Sequence, residues 1–287
     1  MPDISKLDGI DISKWQGDIN LSKVPCDFVI VKATQANKYV NPYFNKKVDE
    51  ALALNKLVGV YHYCASGVGA KAEAEHFVNT IKPYLGKVLL CIDWEGDSNP
   101  KFGDASYVLD ILDYVYNLTK IKPLIYQSKS VCRTSGMDKI AAKYDLWCAQ
   151  YASNNPQIGY RETPWTDNKG FGPWKTVYIY QYSSKGQLTG YNGNLDLDKA
   201  YTTKEEWIKR CKPVQDTPTP ASVTPSGSIV AGKMYTVTAE NTLNIRETSI
   251  KSSRVVGVLK HDSRIKVDKV ENGMAHFSGW CSEKYLQ

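Results

Sequence analysis

Two carboxylates one residue apart, Asp93 and Glu95, close the run V-L-L-C-I-D-W-E of residues 88–95. Five apolar residues precede them, and Gly86 and Gly96 flank the run. An unbroken apolar stretch of this kind predicts a strand buried on both faces, as in parallel α/β sheets. Side chains alternate along a strand, so the two acids should share one side, their Cα atoms roughly 6.5–7 Å apart. Each then raises the other's pKa, and burial raises both. A site built this way keeps one carboxyl protonated and one ionised near neutral pH, ready to give and take a proton at one bond. The competing reading is a surface turn carrying two solvated acids.

The rest of the chain must place those acids. Strands are expected at 9–13 (G-I-D-I-S), 28–33 (F-V-I-V-K-A), 57–64, 88–95 and 123–128, with helices at 44–56, 70–82 and 105–120 and a weaker one at 137–143. The 105–120 helix is the clearest, since Val108, Ile111, Leu112, Val115 and Leu118 form one apolar stripe. Beyond residue 145 the rhythm changes. Strands at 146–151, 177–183 and 195–198 are joined mostly by loops, and a helix at 203–211 opens on the capping-box spacing Thr203–Glu206. Eight strands in this βα rhythm predict a TIM-like (β/α)5β3 barrel, flattened or partly antiparallel at its end. Closure would gather Asp11, Lys32, Tyr61, Asp93, Glu95, Tyr126, Gln150, Gln181 and Asp196 at the carboxyl face of the barrel.

Composition narrows the class. The 287 residues suffice for one large domain and a small one. A mean hydropathy of −0.40 and 42% hydrophobic residues fit a soluble globular protein. The net charge of +6 favours anionic surfaces, but no Lys/Arg cluster points to nucleic acid. No stretch reaches membrane-spanning length, so no membrane partner is expected. The start, M-P-D-I-S-K-L-D, lacks the basic and apolar regions of a secretory signal. The expectation is synthesis in the cytoplasm, with any outside action waiting on release by something else. Seven cysteines, an odd number without a C-x-x-C pair, read as reduced core thiols. The four histidines show no metal-binding spacing, and neither a metal nor another cofactor is expected.

Three stretches carry a resemblance: G-I-D-I-S-K-W-Q-G (Gly9–Gly17), D-W-E at 93–95 and L-D-L-D at 195–198. With V-K-A-T (Val31–Thr34), Y-H-Y (Tyr61–Tyr63), L-W-C-A-Q-Y and Y-Q-Y-S (Tyr180–Ser183), they resemble glycoside hydrolase family 25, in order over about residues 6–211. That family comprises lysozymes of the N-acetylmuramidase type, common among phage endolysins and bacterial autolysins. The resemblance implies an eight-stranded barrel with five helices and a peptidoglycan substrate, here expected to be Gram-positive. It implies Glu95 as acid/base, with Asp93, Asp11 and Asp196 assisting. The last motif often reads D-x-N, and Asp198 here replaces the Asn. Cleavage of the β-1,4 bond after N-acetylmuramic acid needs a proton on the leaving oxygen and a stabilised oxocarbenium-like centre. Attack by the substrate's own 2-acetamido oxygen, with Asp93 on its N–H, is the preferred route, and a covalent route through an aspartate stays open. Tyr61, Tyr126 and Gln181 are candidate sugar contacts, and Trp15, Trp94 and Trp147 either stack on glycan or pack. A phage origin would make release holin-dependent.

Residues 212–227, K-P-V-Q-D-T-P-T-P-A-S-V-T-P-S-G, have a linker's composition. Residues 228–287 alternate in short strands, as a small all-β barrel would. L-N-I-R-E-T (Leu243–Thr248), Ser252–Lys260 and Gly279–Leu286 resemble the bacterial SH3-like (SH3b) domain, which binds cell walls. Glu247-Thr248-Ser249 departs from the family's Ser-Gly-Pro turn. Two rival classes remain. An amidase or peptidase would need a nucleophilic Cys, and Cys64 with His62 is the nearest sequence pair. A non-catalytic glycan-binding wall protein would have no use for Glu95.

Overall fold

The computed structural model describes residues 6–65, 67–214, 229–238, 242–249, 253–260, 262–271, 274–277, 279–282 and 286. The chain divides into two units, Met1–Asp216 and Thr217–Gln287. Most of the expected linker, residues 215–227, lies outside the described residues.

In the first unit eight strands close a ring. They are β1 (Leu7–Ile12), β2 (Phe28–Gln35), β4 (Leu57–Tyr63), β5 (Leu89–Asp93), β6 (Leu124–Ser128), β7 (Leu146–Ala149), β9 (Ile179–Gln187) and β10 (Leu195–Ala200). Neighbours from β1 through β2, β4, β5, β6 and β7 to β9 are parallel. β10 is antiparallel to both β9 and β1 and closes the ring. Two-residue strands β3 (Tyr39–Val40) and β8 (Gln157–Ile158) pair with β2 and β9. The helices are α1 (Phe44–Ala53), α2 (Ala70–Ile81), α3 (Ala105–Thr119), α4 (Met137–Ala141) and α5 (Lys204–Arg210). The α5 cap matches its sequence signal, since Thr203 accepts a bond from the Glu206 N–H at 3.2 Å.

The (β/α)5 rhythm breaks at its first connection, where the sequence shows no helical segment either. No α-helix joins β1 to β2; one 3-10 turn, Lys14–Gln16, does. Ser13 caps that turn and the Gln16 side chain accepts from the Ser13 N–H at 3.1 Å, so S-K-W-Q is a self-contained corner. It sets Lys14 and Trp15 at the rim beyond the carboxyl end of β1.

Period-two alternation separates two apolar clusters. Val29, Val31, Val58, Val60, Leu90, Ile92 and Ile125 face outward against the helices. Phe28, Ile30, Leu57, Leu89, Cys91, Leu124, Tyr126, Trp147 and Ile179 fill the interior. Gly9 makes room at the base, because a Cβ there would lie 2.3 Å from the Phe28 ring. Trp207 of α5 plugs this end. Its ring lies 4.8 Å from Phe28, and its Nε1–H donates to the Val58 carbonyl at 3.3 Å. Trp207→Ala should therefore cost about 3–5 kcal/mol, as truncations of buried aromatics do. Urea unfolding followed by circular dichroism checks this, and an unmoved midpoint would contradict the plug.

Within the second unit, β11 (Met234–Thr236) and β14 (Arg264–Lys266) form a two-stranded antiparallel sheet. A five-stranded sheet runs β13 (Val255–Lys260), β12 (Thr242–Arg246), β17 (Trp280–Ser282), β16 (Met274–His276), β15 (Lys269–Glu271). Val237, Leu243, Ile265, Val267, Ala275 and Leu286 form a small core. The alternating stretch R-I-K-V-D-K-V (264–270) is divided between two strands in different sheets. The described residues show these small sheets.

Candidate active site

The chain first places the two acids. β5 stops at Asp93, two residues short of the expected end. The Trp94 N–H still donates to the Tyr126 carbonyl at 2.9 Å, which holds the extended path for one more residue. Trp94 is fully buried on the outer side, with its ring 5.7 Å from Phe102 and 6.4 Å from Tyr107. It packs and offers glycan nothing. Because Trp94 is anchored outward, Asp93 and Glu95 turn inward at the barrel mouth. Asn99 steadies the loop beyond by donating to the Glu95 carbonyl at 2.9 Å.

The other acids arrive by register. Asp11 pairs with Asp196 across β1 and β10, and Asp93 sits between Tyr63 and Tyr126. Gln181 is the hub. Its Nε2 donates to Asp11 Oδ2 at 2.6 Å, and its Oε1 accepts from the hydroxyls of Tyr126 at 2.9 Å and Tyr151 at 2.6 Å. Below it, Trp147 Nε1 donates to Asp198 Oδ1 at 2.8 Å.

Five carboxyls in so little solvent cannot all ionise. Burial, then the Glu95 charge, holds Asp93 well above the usual carboxylate range. Burial and Asp198 do the same to Asp11. Asp196 is pushed up to about 9 by burial, Asp11 and Glu95. Asp198 rises to about 8, mainly through burial, against the hydrogen bonds from Trp147 and Asp11. Glu95 is raised by burial, while the nearby Tyr126 hydroxyl works the other way. Lys32 is the cation facing these acids, its pKa lowered by burial against the pull of Asp93 and Glu95. Asp93 Oδ1 is buried and has no hydrogen-bond partner among the described residues. A carboxyl so placed is served by a donor arriving from outside.

Of the residues singled out in the sequence, Asp11, Asp93, Glu95, Asp196, Tyr61, Tyr126 and Gln181 meet at one mouth. The Tyr61 hydroxyl is raised well above its ordinary value by burial and then by Asp11, Asp93, Asp196 and Glu95. Trp15 stands on the rim, 76% exposed, free to stack on a sugar. Trp147 is different: it is 1% exposed, with its ring 4.5 Å from Tyr126 and 6.2 Å from Tyr61. It supports both tyrosines from beneath and has no open face for glycan. Asp11 bonds Gln181 and not Glu95 or Asp93, so its effect on those two is electrostatic. Gln150 bonds Asp167 at 2.9 Å and braces the loop after β7.

Asp198 and Tyr151 belong to the network without having been singled out as site residues. Both carry the period-two signal, Asp198 with Asp196 and Tyr151 with Ala149. The cysteine reading finds no support. His62 is fully buried and its ring nitrogens meet Thr34 at 2.8 Å and Glu73 at 3.0 Å. Burial holds the Cys64 thiol well above its ordinary value, far from a nucleophile's. His62, Cys64 and Glu73 do bring ligand-type atoms within 4.8 Å of one another. They lie on the outer side of β4, and the hydrogen bonds just described, with Tyr107 on Glu73 at 2.7 Å, occupy His62 and Glu73.

The geometry is that of a glycosidase mouth: paired carboxyls at the carboxyl end of a barrel, aromatic walls and a rim tryptophan. The sequence model of glycosyl hydrolases family 25 matches residues 10–191, and the chain belongs to this family. It is a glycoside hydrolase, an enzyme of the lysozyme kind. The uncharacterized protein YegX of Escherichia coli (strain K12) is 28% identical over 221 residues, covering 74% of this chain and 76% of that protein. The autolytic lysozyme of Clostridium acetobutylicum is 27% identical over 200 residues, 67% of this chain and 55% of its own length. The solved bacterial lysozyme from Streptomyces coelicolor superposes with a TM-score of 0.58 at 22% identity, covering 73% of this chain and 98% of that one, a likeness of fold.

Proposed function

We propose that the first unit cleaves the β-1,4 bond between N-acetylmuramic acid and N-acetylglucosamine in peptidoglycan, with net retention. One observation carries this reading: the buried Asp93 oxygen without a partner, beside the raised acid Glu95. Protonated Glu95 gives its proton to the glycosidic oxygen as the C1–O bond breaks. The 2-acetamido oxygen attacks C1 and forms an oxazolinium ring. Asp93 accepts the acetamido N–H on its free oxygen, and the ring's developing positive charge favours the ionised form of Asp93. Glu95, now a carboxylate, takes a proton from water, whose oxygen opens the ring at C1 on the face the leaving sugar vacated. Two inversions give retention.

Residues 228–287 fit a wall-recruiting SH3-like module, a reading supported by Leu243–Thr248 and by the short antiparallel strands. Tethering such a module raises the enzyme's local concentration at the wall. Together with the resemblance of residues 6–211, this organisation fits an endolysin that acts on the wall after release from the cytoplasm.

The class of reaction is tested on purified peptidoglycan. New reducing sugars should appear without new free amino groups. Amino groups alone would mean an amidase or peptidase, and neither product would mean a binding protein.

A further inference from the structure

A cavity of about 590 Å3 opens beside the acids, on the flank where β1 and β2 end. Lys14, Trp15, Lys32, Gln35, Lys38 and Tyr39 line it. Its chemistry is opposite to that of the mouth. Among the described residues, no carboxylate lies within ion-pair distance of Lys14, Lys32 or Lys38. Aromatic rings and an amide hold Lys14 and Lys32 instead. Lys14 Nζ is 4.6 Å from the Trp15 ring centroid, Lys32 Nζ is 4.3 Å from that of Tyr63, and Lys32 donates to Gln35 Oε1 at 2.7 Å. The turn carrying Lys38 is locally strained, with Ala36 at φ 52° in the left-handed region. The Ala36 N–H is fixed to the Tyr63 carbonyl at 3.0 Å.

We propose that this cavity is a carboxylate-binding subsite for the peptide stem of the glycan, which makes the enzyme prefer peptide-bearing chains. The inference rests on the muramidase reading and deepens it. When the acetamido group at C2 of the muramyl ring meets Asp93, the lactyl ether at C3 leaves the ring one carbon away. Lys32 faces Asp93 and lines the cavity, so the stem departs on the cavity side. Stem peptides carry free α- and side-chain carboxylates, and these would be repelled by ionised acids at the mouth. Lys14 and Lys38 on the exposed rim, with Lys32 behind them, give those carboxylates partners. The Trp15 and Tyr39 rings give the aliphatic parts of the stem an apolar wall.

The test is Lys14→Ala/Lys38→Ala in the full chain. Both side chains are exposed, so folding is not at stake. Two substrates are compared: glycan chains with stems, and the same chains stripped of stems by an amidase. Wild type should cleave stem-bearing chains more efficiently. The double variant should lose about 3- to 10-fold in kcat/KM on these, as expected for two exposed charge contacts. It should be unchanged on stripped chains. The loss should shrink in high salt, and Lys14→Arg/Lys38→Arg should restore most of it. Equal loss on both substrates, or none on either, would overturn the subsite. Dependence on these lysines only where walls retain a phosphate polymer would also overturn it and assign the cavity to phosphate. A wild type that cleaves neither substrate would instead refute the muramidase reading.

Discussion

Glu95→Gln should lower glycan cleavage by about 10²–10⁴-fold, the usual contribution of a general acid–base group. Gln keeps the shape and some hydrogen bonding but has no proton to transfer. The bond that steadies this segment is made to the Glu95 backbone carbonyl by Asn99, so the substitution leaves it intact. The fold and melting temperature should hold while lysis fails in both substrate binding regimes, that is, in kcat. A folded variant with more than about a tenth of normal activity would show that the acid lies elsewhere.

Asp93→Asn should lower kcat by about 10²–10³-fold, the range seen when a group that stabilises transition-state charge is lost. Asn can still accept the acetamido N–H, but it cannot become negative as the oxazolinium forms. Stability should move the other way. Asp93 is 6% exposed, and one of its oxygens is buried without a partner. Removing its potential charge relieves a burial cost, so the variant should be as stable as wild type or more so. Activity within a few fold of wild type would remove Asp93 from the reaction. A large fall in stability would make it structural.

The sequence conveys sidedness well and depth poorly. The alternation at 93–95 puts two acids on one face, and short strand-like segments mark all eight barrel strands. Which tryptophan is open depends on closure. Trp15 sits in a capped polar turn and is exposed, whereas Trp147 sits in an apolar strand and is sealed under two tyrosines. Asp198 read as a departure from a motif, yet the closed ring sets it against Trp147 and Asp11, where an acid is held near-neutral by burial. The absence of a helix between β1 and β2 was legible, since no helical segment is expected between residues 13 and 28. The stretch after Gly17 shows no helical stripe, and only its fold-back onto β2 reveals that a loop suffices for a parallel crossover here. Lys32 could be placed at a strand end, but its lowered pKa comes first from burial, against the pull of Asp93 and Glu95, and burial depends on closure of the ring.

The central claim is the bond that this mouth cleaves, and product chemistry reads it directly. Peptidoglycan digested by the full chain is reduced with labelled borohydride, hydrolysed, and its amino sugars separated. The reading predicts label in muramitol, because cleavage after N-acetylmuramic acid frees that sugar's reducing end. Label in glucosaminitol would contradict it and make the enzyme a glucosaminidase.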